Sequence, residues 1–135
     1  MVTNQQLILK AASVIHSKQL KEGLIGDVGC ALISGKGKVY TGVCVGLNSN
    51  GYCAERVAIA KMITDGKEYT IKKIVAAWKD KDGTLYVIPP CGFCRQAMKD
   101  TEEENIDTTE VILDKTKSVK LRELLPYHDW WKKQK

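Results

Sequence analysis

The sequence lacks any run of about 18 apolar residues, the length expected of a membrane-spanning helix, so no membrane span is predicted. Met1 is not followed by a basic segment leading into an apolar one, which is the pattern of a secretory signal, and the cytoplasm is therefore the expected compartment. No internal repeat, low-complexity tract or linker interrupts the 135 residues. Residues 1–135 are accordingly expected to form a single domain.

The sequence also lacks a concentration of charge of one sign. Its net charge of +5 comes from 21 Lys and Arg residues that are intermixed with 16 Asp and Glu residues. Nucleic-acid binding normally needs basic residues clustered on one face, so a nucleic-acid partner is not favoured. The basic tail at residues 132–135 and the acidic run at residues 102–104 are interpreted as solvated segments.

Five cysteines make an odd number in a chain without an export signal, so a disulfide framework is not favoured and metal or catalytic use is. Cys30 and Cys44 lie in strand-like runs and are interpreted as small core residues. The two histidines, His16 and His128, are interpreted as surface or packing residues rather than ligands.

Hydrophobic periodicity predicts helices alternating with strands along the chain. The predicted helices cover Thr3 to about Glu22, 53–64, 94–99 and 121–125, and the predicted strands cover 28–34, 39–47, 74–78, 85–88 and 111–113. This order predicts an α/β protein, a three-layer α/β/α sandwich with a mixed sheet of about five strands. The sheet is expected to begin with an antiparallel hairpin and to continue with parallel strands.

Three cysteines lie where two predicted helices begin: Cys53 in one, Cys91 and Cys94 in the other. Three thiolates leave one tetrahedral position of a zinc ion free for water, which is the arrangement of a catalytic site. Helix starts favour thiolates, and Arg56 is positioned to donate a charge-assisted hydrogen bond to a ligand sulfur. A structural zinc site with a fourth protein ligand, or plain buried thiols, stays an alternative.

The pattern Cys-Ala-Glu at residues 53–55 followed by Pro-Cys-x-x-Cys at residues 90–94 resembles the cytidine deaminase family. Cys91-Gly92-x-Cys94-Arg95-Gln96 and residues 122–126 are most similar to its blasticidin S deaminase branch, and the resemblance covers roughly residues 25 to 131. It implies a cytidine deaminase-like fold, bound Zn²⁺ and a homotetramer with sites at subunit contacts. It also implies that Glu55 moves protons between water, the ring nitrogen and the departing amine.

The sequence departs from nucleoside-specific members of that family on the second strand. Those members carry an Asn and a Glu that bind ribose, and Cys44 and Gly46 stand at the corresponding positions. A site without polar partners is expected to discriminate poorly for the sugar. Further candidate substrate-binding or supporting residues are Ala54, Arg56, Pro90, Asn48 and Trp131. Trp130 and Trp131 are interpreted either as packing or subunit contacts or, for Trp131, as an aromatic lid.

These observations predict zinc-dependent hydrolytic deamination of the cytosine ring in a free nucleoside or nucleoside-like compound, of the cytidine, deoxycytidine or blasticidin S type. One alternative is a nucleic-acid cytosine deaminase of the same superfamily, although such enzymes usually have histidine where Cys53 stands. The other is a structural zinc module without catalytic activity.

Overall fold

The computed structural model describes residues 2–135. Within this range the strands are β1 (Lys18–Leu20), β2 (Gly23–Ser34), β3 (Val39–Leu47), β4 (Gly51–Tyr52), β5 (Ile71–Lys79), β6 (Leu85–Ile88), β7 (Glu110–Asp114) and β8 (Lys117–Lys120). The helices are α1 (Asn4–Ser13), α2 (Ala54–Lys61), α3 (Gly92–Thr101), α4 (Asn105–Thr108) and α5 (Leu121–Leu124), and a π-helical turn (Met62–Gly66) continues α2.

The strands form one sheet in the order β4-β3-β2-β5-β7-β8, in which β1 also pairs with β2 and β6 with β5. The predicted α/β class with a mixed sheet is confirmed, but the predicted number of about five strands is wrong, since residues 2–135 contribute eight. The expected parallel continuation is also largely wrong. β5 is antiparallel to both β2 and β6, and the pair β5 and β7 is the parallel one in this range. The missed strands β1, β4 and β8 have two to four residues each, too few to show a periodic pattern.

The first helix begins with the predicted capping box. The Gln6 amide donates to the Thr3 hydroxyl at 3.1 Å, and the Thr3 amide donates to the Gln6 side chain at 2.9 Å. The helix ends at Ser13, so its predicted extension to about Glu22 is wrong. The chain after it forms β1, which pairs antiparallel with the start of β2 in a tight hairpin, and this strand pairing outweighs the helical periodicity.

The predicted hairpin of β2 and β3 is confirmed, and it contains an irregularity near one end. The register shifts between Ile25 and Gly29, so that residues 26–28 of β2 lie opposite Cys44 of β3. Gly26 has a φ of +83°, a left-handed conformation that glycine adopts without strain. A bulge of this kind bends a strand and redirects its side chains, and such bulges are frequent beside functional sites.

Two apolar clusters cover the two faces of the sheet and confirm the three-layer arrangement. On one face, α1 packs on β2 and β5 through a cluster of buried residues: Leu7, Ile8, Ala11, Ala31, Ile33, Val75, Ala77 and Ile112. On the other face, α2, α3, α4 and α5 contribute to a larger cluster around Leu32, Ala58, Met62, Ile74 and Met98. Alternate residues of β2 enter the two clusters, as expected for a strand that is covered on both sides. No helix within residues 2–135 is long and apolar enough to cross a membrane.

Candidate metal centre

Two helices that belong to the same face of the sheet each begin at a cysteine. Cys53 is the N-cap of α2 and Cys91 the N-cap of α3, and both have extended backbones without a side-chain capping hydrogen bond. Helix α2 can approach β3 closely because position 42 is glycine. A Cβ atom there would lie 2.6 Å from the Ala58 nitrogen and 2.9 Å from the Ala54 oxygen. The sheet and the two helix starts therefore fix where the cysteine sulfurs lie.

The three predicted ligands are brought together. The Sγ atoms of Cys53 and Cys91 are 3.4 Å apart, those of Cys91 and Cys94 are 3.5 Å apart, and all three lie within 4.8 Å of one another. Tetrahedral zinc with Zn–S bonds of about 2.3 Å implies sulfur separations of roughly 3.8 Å. The arrangement thus fits a zinc ion held by three sulfur ligands, with the fourth position left to something other than these cysteines.

The pKa values of the thiols in the cluster favour a bound cation. Burial acts to raise the pKa of the Cys91 thiol, but the amides of Cys94 and Phe93 and the neighbouring thiols outweigh it, so its pKa is lowered. Burial and the nearby Glu55 carboxylate raise the pKa of Cys94 well above its usual value. A thiolate at Cys94 is thus costly without a metal, and a divalent cation would offset the repulsion among the negative groups of the cluster.

Glu55 lies in the first turn of α2 beside this cluster. Its side chain is 4% exposed, and burial raises the pKa of its carboxyl group, while a hydrogen bond with Cys94 opposes that rise. A raised pKa brings a carboxyl group nearer to the range in which it can both accept and release a proton at neutral pH. The structure therefore places a candidate proton carrier next to the candidate metal position.

A small cavity of about 160 Å³ opens beside the cluster and Glu55. It is lined by Val28, Cys44, Cys53, Ala54, Glu55, Ile88, Pro89 and Cys91. Apolar cavities of about 150 Å³ in proteins admit a benzene-sized ring. A single pyrimidine ring is therefore of suitable size for the space beside the three sulfurs.

Two arginines support the cluster from outside the cavity. The Arg56 guanidinium donates to Cys53 Sγ at 3.8 Å and to the Gly51 carbonyl at 3.3 Å, and it lies 5.5 Å from the centre of the Phe93 ring. Arg95 donates to the carbonyls of Pro90 and Leu124, at 2.8 and 3.0 Å. Arg95 thereby ties the segment before Cys91 to the end of α5.

The other predicted substrate-binding residues are placed differently. Ala54 lines the cavity, and Pro90 is buried with its carbonyl bonded to Arg95. The side chain of Asn48 donates to the Glu22 carboxylate at 2.6 Å, and Asn48 is not among the residues that line the cavity. Trp131 is 90% exposed in this chain. The roles assigned to Asn48 and Trp131 stay predictions.

Two side chains near the cavity were not singled out from the sequence. The carboxylate of Asp27 accepts a hydrogen bond from the Cys44 thiol at 3.0 Å and another from the Trp78 indole at 3.2 Å. Burial and the hydrogen bond to Asp27 raise the pKa of the Cys44 thiol, so this thiol stays protonated as the donor. No local motif marks Asp27, because its position depends on the strand bulge and on the pairing of β2 with β5.

Sequence comparison identifies relatives that contain a similar segment. The protein described as a probable cytidine deaminase of Dictyostelium discoideum is 44% identical over 71 residues, which are 51% of this chain and 46% of that protein. The cytidine deaminase of Halalkalibacterium halodurans is 36% identical over 74 residues, 53% of this chain and 52% of that protein. The chain spans about half the length of the curated relatives it matches.

Structure comparison finds the same fold in solved cytidine deaminases. The enzyme from Burkholderia pseudomallei has a TM-score of 0.69 at 25% identity and covers 92% of this chain and 97% of its own. That from Bacillus anthracis has a TM-score of 0.69 at 21% identity, with coverages of 93% and 88%. Residues 1–109, which include all three cysteines and Glu55, match the family described as the cytidine and deoxycytidylate deaminase zinc-binding region. The chain therefore belongs to the cytidine and deoxycytidylate deaminase zinc-binding family.

Proposed function

We propose that the chain is a zinc-dependent aminohydrolase that deaminates the cytosine ring of a free nucleoside or nucleoside-like compound and releases ammonia. One observation carries the proposal. Three cysteine sulfurs within 4.8 Å of one another adjoin a buried glutamate at the wall of a cavity sized for one ring. Family membership supports the same chemistry, since zinc deaminases combine such ligands with a glutamate that is not itself a ligand.

In this proposal Cys53, Cys91 and Cys94 hold the zinc ion, which when bound supplies Lewis-acid activation of water. Glu55 accepts a proton from the attacking water and delivers it to the ring nitrogen next to the amino group. The water oxygen bonds to the ring carbon that carries the amino group. Glu55 then moves the second proton from the new hydroxyl group to the departing amine, so that the carbon–nitrogen bond breaks, ammonia leaves and a carbonyl forms on the ring. The apolar walls of the cavity exclude further water and hold the ring beside the carboxylate.

The proposal extends to the identity of the substrate and to the oligomeric state. Cys44 and Gly46 offer neither a carboxylate nor an amide at the two strand positions that bind ribose in nucleoside-specific relatives, so a blasticidin S type compound stays a candidate beside cytidine and deoxycytidine. A homotetramer, the cytoplasm as compartment and a single domain over residues 1–135 complete the prediction. Exposed aromatic side chains next to the ligands, Tyr52 and Phe93, are suited to a subunit contact.

The test combines metal analysis with ammonia release from cytidine, deoxycytidine, cytosine and blasticidin S. We expect one zinc per chain and turnover of at least one of these compounds. The Glu55→Ala variant should keep its zinc and lose turnover by a factor of roughly 100 or more, because general acid–base catalysis contributes that much.

Glu103→Ala, which removes an exposed carboxylate from the loop before α4, is the matched control and should keep full activity. Full activity in Glu55→Ala would remove the glutamate from its role. A zinc ion with four protein ligands, seen by cobalt substitution as a centre that does not exchange water, would favour a structural zinc module instead.

A further inference from the structure

A second, larger cavity adjoins the one beside the cysteines. It has a volume of about 470 Å³, and its lining includes Leu24, Asp27, Trp78 and residues 79–82, which form the end of β5 and the turn after it. Asp27 lines the larger cavity, while the next residue, Val28, lines the smaller one. The smaller cavity is also lined by Cys44, whose sulfur lies 3.0 Å from the Asp27 carboxylate. Asp27 therefore lies between residues that line the two cavities, and we assign the larger cavity to the substituent of a ring seated beside the metal.

The carboxylate of Asp27 is fixed before any ligand binds. One oxygen accepts from the Cys44 thiol and the other from the Trp78 indole N–H. The Trp78 ring is itself stacked on Tyr86, with 5.3 Å between the ring centres. A carboxylate has about four acceptor positions, so two donors leave it able to accept from a ligand. Such preorganisation reduces the entropy that binding must overcome.

The strand bulge explains why this carboxylate faces the cavities. Because residues 26–28 lie opposite Cys44 in place of one residue, the regular alternation of side chains is interrupted here. Asp27 contacts Cys44 and lines the larger cavity, and Val28 lines the smaller one. A carboxylate in this position can accept hydrogen bonds from sugar hydroxyls, as acidic residues do for ribose in dinucleotide sites. Cys44 and Gly46, by comparison, provide no carboxylate.

The charge of the larger cavity favours a free nucleoside over a nucleotide. Its lining holds three carboxylates and two ammonium groups: Asp27, Asp80, Asp82, Lys79 and Lys81. The excess of one negative charge, which the fixed Asp27 carboxylate accounts for, opposes a phosphate group in this space. An uncharged sugar meets no such repulsion.

We propose that Asp27 is the specificity-determining residue of this site: its carboxylate accepts a hydrogen bond from a sugar hydroxyl and selects a free nucleoside over the free base and the nucleoside 5′-monophosphate. The inference rests on the proposed deaminase function and deepens it. It assigns the sugar contact to β2 instead of the second strand of the hairpin.

The experiment compares wild type, Asp27→Asn and Glu103→Gln by their kinetics with cytidine and by inhibition of that reaction with cytosine. Asp27→Asn should raise KM for cytidine about tenfold or more while kcat and the inhibition constant of cytosine change less than about twofold, because the lost hydrogen bond to a charged acceptor concerns the sugar alone. Glu103→Gln removes the same charge from an exposed loop residue that lines neither cavity, and it should leave all three constants unchanged.

If the wild-type protein turns over cytidine and Asp27→Asn has the same KM for it, the inference is overturned and the proposed function stays intact. If the KM for cytidine and the inhibition constant of cytosine rose by the same factor, Asp27 would have a structural role only, and the inference would be overturned as well. If Asp27→Asn does not fold, the wild-type protein alone provides the test, through its kcat/KM for cytidine and for cytidine 5′-monophosphate. We expect the value for cytidine to be at least tenfold higher, and a higher value for the monophosphate would contradict the inference. Wild type that releases ammonia from no cytosine compound would instead refute the proposed function itself.

Discussion

At the scale of single residues, Arg56 is the side chain whose charge bears most directly on the cysteine cluster. Its guanidinium lies 3.8 Å from Cys53 Sγ. Three thiolates on a divalent ion leave a net negative charge, and a neighbouring cation offsets part of it. We expect Arg56→Met to weaken zinc binding by roughly tenfold or more, in the range found when groups that support metal ligands are removed. Competition with a chromophoric chelator measures this affinity.

Lys61→Met is the matched control for Arg56→Met, since it removes a positive charge from the exposed end of the same helix. Its zinc affinity should equal that of wild type. Equal weakening in both variants would show that general charge matters and that the contact of Arg56 with the ligand sulfur does not.

The residues of the candidate site were partly predictable from the sequence. The three cysteines were predicted from their spacing at two helix starts, and the role of Glu55 from the resemblance to the cytidine deaminase family. Helices α2 and α3 do begin at these cysteines. Asp27 and Trp78 were missed because their meeting depends on a strand register that no local pattern encodes. The predicted role of Asn48 used chain position alone, whereas its side chain is bonded to Glu22.

At the scale of secondary-structure elements, Gly42 controls how closely α2 approaches β3. A Cβ atom at this position would lie 2.6 Å from the Ala58 nitrogen, which is backbone and cannot rotate away. We expect Gly42→Ala to lower the free energy of unfolding by about 1–3 kcal/mol, the usual cost of overpacking, and to reduce zinc occupancy as α2 shifts. Chemical denaturation and metal analysis measure the two effects.

Gly92→Ala is a suitable comparison for Gly42→Ala because it lies in the first turn of α3, where an added Cβ meets no atom within 4 Å. Stability and zinc content should stay at the wild-type level there. A Gly42→Ala protein with wild-type stability would contradict the close packing of α2 on the sheet.

Glu68 ties the connection before β5 to the β2–β3 hairpin through a buried carboxylate. Three groups donate to it: the Ser34 hydroxyl, the Tyr40 hydroxyl and the Lys36 amide. Burial acts to raise the pKa of Glu68, but these hydrogen bonds outweigh it and the pKa is lowered. A lowered pKa in the folded state means that the carboxylate stabilises the fold above its usual pKa of about 4.3, and that this stabilisation is lost as the pH falls through the lower folded value.

Glu68→Gln should therefore lower stability at neutral pH and flatten the loss of stability below about pH 4.3. Thermal unfolding followed by circular dichroism between acidic and neutral pH measures this, with the exposed Glu103→Gln as control. An unchanged pH profile in Glu68→Gln would contradict the assignment.

Sequence patterns predicted some helices and strands correctly but not all of their boundaries. The hairpin and β5 were predicted because long apolar runs are buried by the helices on both faces. The predicted extension of α1 was wrong because β1 joins β2 through Lys21 and Glu22, a turn without the Gly or Asn that usually marks a hairpin.

At the scale of the whole molecule, exposed aromatic side chains bear on the proposed assembly. Phe93, Trp130 and Trp131 are 76%, 62% and 90% exposed, a cost that a subunit contact would remove. We expect sedimentation to give four times the mass of the 15.0 kDa chain. Phe93→Ser should shift the population towards smaller species, whereas Gln96→Ser, one turn further along α3, should not. A wild-type mass equal to one chain would contradict the tetramer.

The origin of the ligands in two separate helices has a consequence for folding itself. Cys53 and Cys91 are 38 residues apart, and β5 and β6 lie between them in the chain. An ion bound by both would hold the two helix starts together, and because it binds the folded chain in preference to the unfolded one, it would stabilise the fold. The free energy of unfolding would then rise with the zinc concentration, and the protein deprived of zinc would be more accessible to proteases.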